Sequence, residues 1–166
     1  MSMKILILGL LKEYPRHPYE MKRAMIDQKW NKLISITDGN LYHNIRRAKE
    51  RGHIREIKTE KVDQRPNRTV YELTEEGEEE LSAMIVDAFR KQEMNVSLIY
   101  PALLFVRYSD TSLVEEALRS WAKTLDSESV SGTYASPAYY IVEHFEQRRA
   151  LDRKWLLDVA EWIGGE

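Results

Sequence analysis

The chain has 166 residues, 43% of them hydrophobic, enough for one compact domain or two small ones. It contains no cysteine, which excludes a disulfide framework and a thiolate-bound metal. The formal net charge of −2 conceals an asymmetry: residues 1–73 carry 16 Lys and Arg against 9 Asp and Glu, a balance of +7, whereas residues 74–166 carry 9 against 18, a balance of −9. A basic half that faces nucleic acid and an acidic half with another task are what this implies.

Met3 to Glu13 reads as a first helix, apolar nearly all round and therefore buried. Its run from Ile5 to Leu11 is too short for a bilayer, which needs about 20 residues. No small-residue cleavage site follows it, so neither a membrane span nor a signal peptide is expected, and a soluble cytoplasmic protein is. Tyr14-Pro15-Arg16-His17-Pro18 breaks the helix, because proline lacks a donor and restricts its predecessor. A second helix is expected over Tyr19 to Lys29, with Tyr19, Met21, Met25, Ile26 and Trp30 as its core positions.

The third helix, about Asp38 to Arg51, is the informative one. Thr37 is placed to cap it by accepting from the backbone of Asn40 or Gly39. Leu41, Ile45 and Ala48 share one face and should pack against the first two helices. Asn40, His43, Asn44 and Arg47 fall on the other side, and Gly52 supplies the left-handed residue that stops the helix. Ile54–Glu60 and Thr69–Leu73 read as strands around a polar, cationic tip, residues 61–68. Helix, glycine stop and basic hairpin in this order are what a winged helix-turn-helix requires.

On that reading Asn40, His43, Asn44 and Arg47 face the major groove, where Arg reads guanine and Asn reads adenine with two hydrogen bonds. Arg46, Lys49 and Arg51 reach phosphates or lie at the flank, and Lys61, Arg65 and Arg68 on the tip reach phosphates or the minor groove. Tyr42 stands at the edge of the buried face, its ring capping the core and its hydroxyl within reach of a phosphate. Thr37 belongs with this DNA-binding set through the cap.

Thr74 begins a fourth helix with Glu75 and Glu76 in its first turn, where carboxylates suit the helix dipole. Its apolar positions are Leu81, Met84, Ile85, Ala88 and Phe89. Further helices follow: a short apolar one over Leu98–Tyr108, an amphipathic one marked by Val114, Ala117, Leu118, Trp121 and Leu125, and a long one from about Ala138 to Ile163. A serine-rich loop, Ser127 to Pro137, separates the last two. The long helix carries Ile141, Phe145, Trp155, Val159 and Trp162 on one stripe. At about 1.5 Å per residue it outreaches a small domain, so packing against a second copy is expected. The expected architecture is thus mostly α with a small β-hairpin wing: a winged helix-turn-helix at 1–80 and an all-helical dimerisation and effector domain at 81–166.

Enzymatic readings find little support. His17, His43, His53 and His144 have no companions at metal-ligand spacing, and no phosphate-cradling glycine loop or nucleophile elbow occurs. Glu75, Glu76, Glu78, Glu79 and Glu80 read as a helix start and a solvated face. No enzyme, cofactor or metal site is expected. Tyr100, Tyr108, Trp121, Tyr134, Tyr139 and Tyr140 could line a small-molecule site, although helix packing and dimer contacts explain them more simply. A winged helix that binds another protein instead of specific DNA is the alternative reading.

Several stretches carry a resemblance: Ile5 to Leu11, His17-Pro18-Tyr19-Glu20, Gly39-Asn40-Leu41-Tyr42, Arg51-Gly52-His53-Ile54, and Tyr71 to Gly77. In this order and spacing, Lys4 to about Leu81 resembles the PadR family of bacterial transcriptional regulators. The family usually has glycine where Pro18 stands, threonine where Asn40 stands, and leucines where Ala48 and His53 stand. Asn40 lies at the groove-facing end, so an operator sequence cannot be borrowed from relatives. The resemblance implies a homodimer formed through C-terminal helices that usually represses by occupying a promoter. Residues 82–166 resemble, more loosely, the longer helical C-terminal domain of one subgroup. Some relatives release DNA when phenolic acids or cationic drugs bind, but no motif here assigns effector-binding residues.

Overall fold

Eight buried side chains and backbone positions in one helix leave it no solvent face to speak of, and the rest of its unit is built around it. The structure is a computed structural model that describes residues 2–32, 34–60, 68–127 and 138–165. In it, α1 (Ser2–Glu13) is buried at Met3 and from Ile5 to Leu11. After the proline break, α2 (Pro18–Asp27) starts with Pro18 in its first turn, and Glu20 Oε2 accepts from the His17 N–H at 2.9 Å. It ends two residues before the expected Lys29, which is left-handed at φ 61°. A single 3-10 turn, Trp30–Lys32, then buries Trp30 with its ring edge-on to Phe105 at 5.7 Å.

Helix α3 (Asp38–Glu50) is capped as its sequence requires, with Thr37 Oγ1 accepting from the Asn40 N–H at 3.2 Å. Leu41, Ile45 and Ala48 are its buried face. Gly52 follows at φ +75°, and its N–H and that of His53 satisfy the carbonyls of Lys49 and Ala48. Strands β1 (Ile54–Glu60) and β2 (Arg68–Leu73) pair antiparallel, Ile54 opposite Leu73 and Glu56 opposite Tyr71. The ladder resumes at Lys58 opposite Val70, so Ile57 is an extra, bulged residue. Arg16 adds a bridge on the other edge of β2, its N–H and C=O both bonded to Tyr71 at 3.0 Å.

Helix α4 (Glu75–Arg90) begins at Thr74, whose hydroxyl accepts from the Gly77 N–H at 3.1 Å and donates to the Gly52 carbonyl at 2.6 Å. Gly77 is obligatory in this packing, since a Cβ there would stand 2.0 Å from the His53 carbonyl oxygen. The apolar stretch expected as one helix over Leu98–Tyr108 divides into α5 (Val96–Leu104) and a 3-10 turn, Val106–Tyr108. Between them Phe105 lies on Gly9 of α1, where a Cβ would meet its ring at 2.4 Å.

By contact the chain divides into two compact units, Met1–Ala88 with Asn95–Ser109, and Phe89–Met94 with Asp110–Glu166. The first unit reaches beyond residue 80, because α4 continues buried through Ala88 and Phe105 closes on Gly9. The second contains α6 (Thr111–Ser127) and α7 (Ala138–Gly164), which run antiparallel: Arg153 meets Asp126 at 3.3 Å at one end, and Gly164 abuts Glu115 at the other. Val114, Leu118 and Trp121 of α6 are buried, as are Leu156, Ala160 and Ile163 of α7. Arg149 is buried too, its guanidinium donating to the Leu125 carbonyl.

The stripe expected on α7 is therefore not the face turned to α6. Ile141, Phe145 and Trp162 stay 69%, 49% and 51% exposed, and Trp155 and Val159 are half-buried. Two core assignments on α2 are also corrected: Tyr19 is 68% and Ile26 44% exposed. The buried residues are Pro18, Met21 and Met25, and Tyr19 and Ile26 each lie one residue beyond a member of that set, about 100° round the helix. Of the loop expected over Ser127 to Pro137, Ser127 instead ends α6, and residues 128–137 lie outside the described residues.

Candidate nucleic-acid interface

Burial of Leu41, Ile45 and Ala48 turns the opposite side of α3 to solvent. Asn40, Tyr42, His43, Arg46 and Arg47 are exposed there, Thr37 is exposed at the cap, and Asn44 is half-buried. The structure thus brings together the α3 residues singled out from sequence. Lys61 and Arg65 lie outside the described residues, and Arg68 is described only as the first backbone position of β2.

The two asparagines are not independent. Asn44 Nδ2 donates to both the backbone carbonyl and Oδ1 of Asn40, each at 2.8 Å, while Asn40 Nδ2 reaches the Ser35 carbonyl at 3.4 Å. Both donors of the Asn44 amide are thus engaged by Asn40, whereas Asn40 keeps one lone pair and one N–H for another partner.

The charge pattern distinguishes α3 from its neighbours. Both cations of α1 are neutralised, Lys4 by Glu80 at 2.5 Å and Lys12 by Glu78 at 2.6 Å. So are those of α2, Lys22 by Asp38 at 2.7 Å and Arg23 by Asp27 at 3.5 Å. Arg46, Arg47 and Arg51 have no carboxylate partner among the described residues. Arg47 and Arg51 also line a groove of about 340 Å³ with Lys4 and Glu80.

Lys49, expected to reach phosphates or lie at the flank, is ion-paired to the hairpin. Its ammonium donates to Glu56 Oε1 at 2.6 Å, and the Tyr71 hydroxyl donates to the same oxygen at 3.4 Å. The Lys49 hydrogen bond holds the Glu56 carboxyl below its ordinary range and raises Lys49 in turn. Burial, followed by the Glu56 charge, raises the Tyr71 phenol.

Sequence reasoning missed a second surface beside the cap of α3. Tyr19, Lys22, Arg23 and Ile26 of α2 form a groove of about 610 Å³ with Asp38 and Tyr42 of α3, so the exposed rings of Tyr19 and Tyr42 (68% and 52%) border one depression. The signal was present: Tyr19 and Ile26 are seven residues apart and share a face that the Pro18, Met21, Met25 stripe excludes.

A capped helix whose arginines meet no carboxylate among the described residues, backed by a three-helix core and followed by an antiparallel hairpin, defines a winged-helix domain of the DNA-binding type. Residues 7–83 match the model of the Transcriptional regulator PadR-like family. No curated protein matches the chain. Among solved structures it is similar to that of TA0346, a candidate transcriptional regulator of Thermoplasma acidophilum, at 26% identity over 48% of this chain and 70% of that one (TM-score 0.41). It is also similar to Bacillus subtilis PadR in complex with operator DNA, at 16% identity over 98% of this chain and 99% of that one (TM-score 0.49). A third, smu.1604c of Streptococcus mutans, is 19% identical over 97% and 93% of the two chains (TM-score 0.46). Among the described residues no helix is long and apolar enough to cross a membrane.

Proposed function

We propose that this protein is a sequence-specific regulator that occupies a palindrome-like promoter site as a homodimer and represses by occupancy. The observation that carries the DNA reading is the contrast between the neutralised cations of α1 and α2 and Arg46, Arg47 and Arg51 around α3, which meet no carboxylate among the described residues. Arginines left without a carboxylate are available to phosphates and guanine edges, and their counterions are released on binding. Arg47 and the Asn40–Asn44 pair read bases, Arg46 and Arg51 hold phosphates, and His43 and Tyr42 flank them. Lys61, Arg65 and Arg68 belong to the wing's share of the contact.

The dimer reading rests on α7. Its exposed Ile141, Phe145 and Trp162, with Trp155 and Val159 beside them, form an apolar stripe that a second copy would cover. Two recognition helices held by such a dimer address half-sites a helical turn or a multiple apart. A small aromatic or cationic effector that alters their separation would release DNA, because a small misfit loses one groove.

The test is titration of the purified protein against its own upstream promoter DNA and a scrambled duplex at two salt concentrations. Tight, salt-sensitive binding that prefers the promoter is expected. Equal weak binding to both duplexes would leave only the generic electrostatic attraction, and no binding at low salt would favour a protein-interaction module.

A further inference from the structure

We infer that Glu56 is a positioning residue that sets the angle between the hairpin and α3 by gathering Lys49 and Tyr71 onto one carboxylate oxygen. The inference rests on the DNA-binding reading for its consequence, though the contact itself belongs to the free protein. Lys49 lies in the last turn of α3, Glu56 on β1 and Tyr71 on β2, so one oxygen joins three elements. Tyr71 is anchored independently, because its backbone N–H and C=O are both bonded to Arg16. Two residues along β2, the Thr69 carbonyl accepts from His17 Nδ1 at 3.0 Å. The inner edge of the hairpin is thus stitched to the body of the unit at Arg16 and His17, and its base is tied to α3 at Glu56.

The place of this tie along the strand gives it a consequence. The register shift falls directly after Glu56, with Ile57 the extra residue. A bulge bends its strand and increases the local twist, so the arm that continues to Glu60 and Arg68 takes its direction from this point. Without the carboxylate the bulge would remain, but the strand carrying it would lose its side-chain tie to the last turn of the recognition helix. A protein that must fit a helix and a hairpin to one duplex depends on their relative angle, and first-contact residues are only as precise as their supports.

Electrostatics alone predicts the opposite effect, which makes the inference testable. Removing a negative charge beside a DNA-binding helix and freeing Lys49 should tighten binding to any duplex and steepen its salt dependence. In Glu56→Gln we expect instead roughly twofold to fivefold weaker binding to the specific site, with binding to random duplex unchanged or tighter. Faster amide exchange at the Lys58–Val70 pair is expected in the DNA-free variant, and the exchange measurement establishes that the protein is folded. Tighter binding to both duplexes, or unchanged exchange, would overturn the inference. If wild type binds no duplex, the regulator reading fails, whereas the exchange arm still decides whether Glu56 holds the hairpin.

Discussion

Replacing Gly77 by alanine should destabilise the first unit, although alanine is the better helix former. In the first turn of α4 the exchange favours the helix by at most about 1 kcal/mol. Against this, the new Cβ would stand 2.0 Å from the His53 carbonyl oxygen and 2.7 Å from a methyl of Leu73. The carbonyl is backbone, held between the Gly52 stop and β1, and it also accepts from the Thr74 N–H at 3.1 Å. Relief requires α4 to withdraw by about an ångström, which strains the packing by roughly 1–3 kcal/mol and endangers a hydrogen bond worth about 1 kcal/mol. The net expectation is a loss of about 1–3 kcal/mol. For a unit of about 100 residues that corresponds to a fall in Tm of roughly 4–8 °C per kcal/mol, measurable by circular dichroism on heating. Gly39→Ala is the control: nothing lies within 4 Å of a Cβ there, so its stability should be unchanged or higher by a few tenths of a kcal/mol. A Gly77→Ala protein as stable as wild type, or more so, would refute the close approach of α4 to His53.

Arg47→Ala should cost roughly 1–3 kcal/mol on the specific site and relax base preference, while an equal loss on random duplex would remove Arg47 from the base-reading set. Trp162→Glu should weaken self-association, because the ring is 51% exposed on the apolar stripe of α7; an association constant unchanged by sedimentation would detach that stripe from the dimer. His53 titrates below its ordinary 6.5, first through burial and then through the nearby Lys4 charge. The unfolded chain therefore takes up the proton more readily, so this contribution to stability is complete above pH 6.5 and declines as pH falls from there through the lower folded value. In urea unfolding at a series of pH values, His53→Gln should flatten that slope, and an unaltered slope would assign it to other groups.

Much of the α3 site was legible in the amino-acid order because its determinants are local. The Thr37 cap, the stop at Gly52 and the Leu41, Ile45, Ala48 face each act within one or two helical turns. The same holds for Pro18 at the start of α2 and Thr74 before α4. Once that face is buried, the exposure of Asn40, His43 and Arg47 follows from helical geometry alone.

What only the tertiary structure decided depends on which groups stand opposite one another. Lys49 and the three arginines look alike in the sequence, but Glu56 on a later strand captures the lysine, whereas the arginines meet no carboxylate among the described residues. The bulge at Ile57 arises from the pairing of two strands, and the strand-like bridge of Arg16 to Tyr71 joins residues far apart in the chain. Tyr19 and Ile26 are apolar enough for a core, yet Pro18, Met21 and Met25 occupy the side of α2 that is covered. On α7, similarly, Leu156, Ala160 and Ile163 are buried rather than the aromatic stripe. A helix's own periodicity says which residues share a face; only the neighbouring elements determine which face is covered and which charge is met.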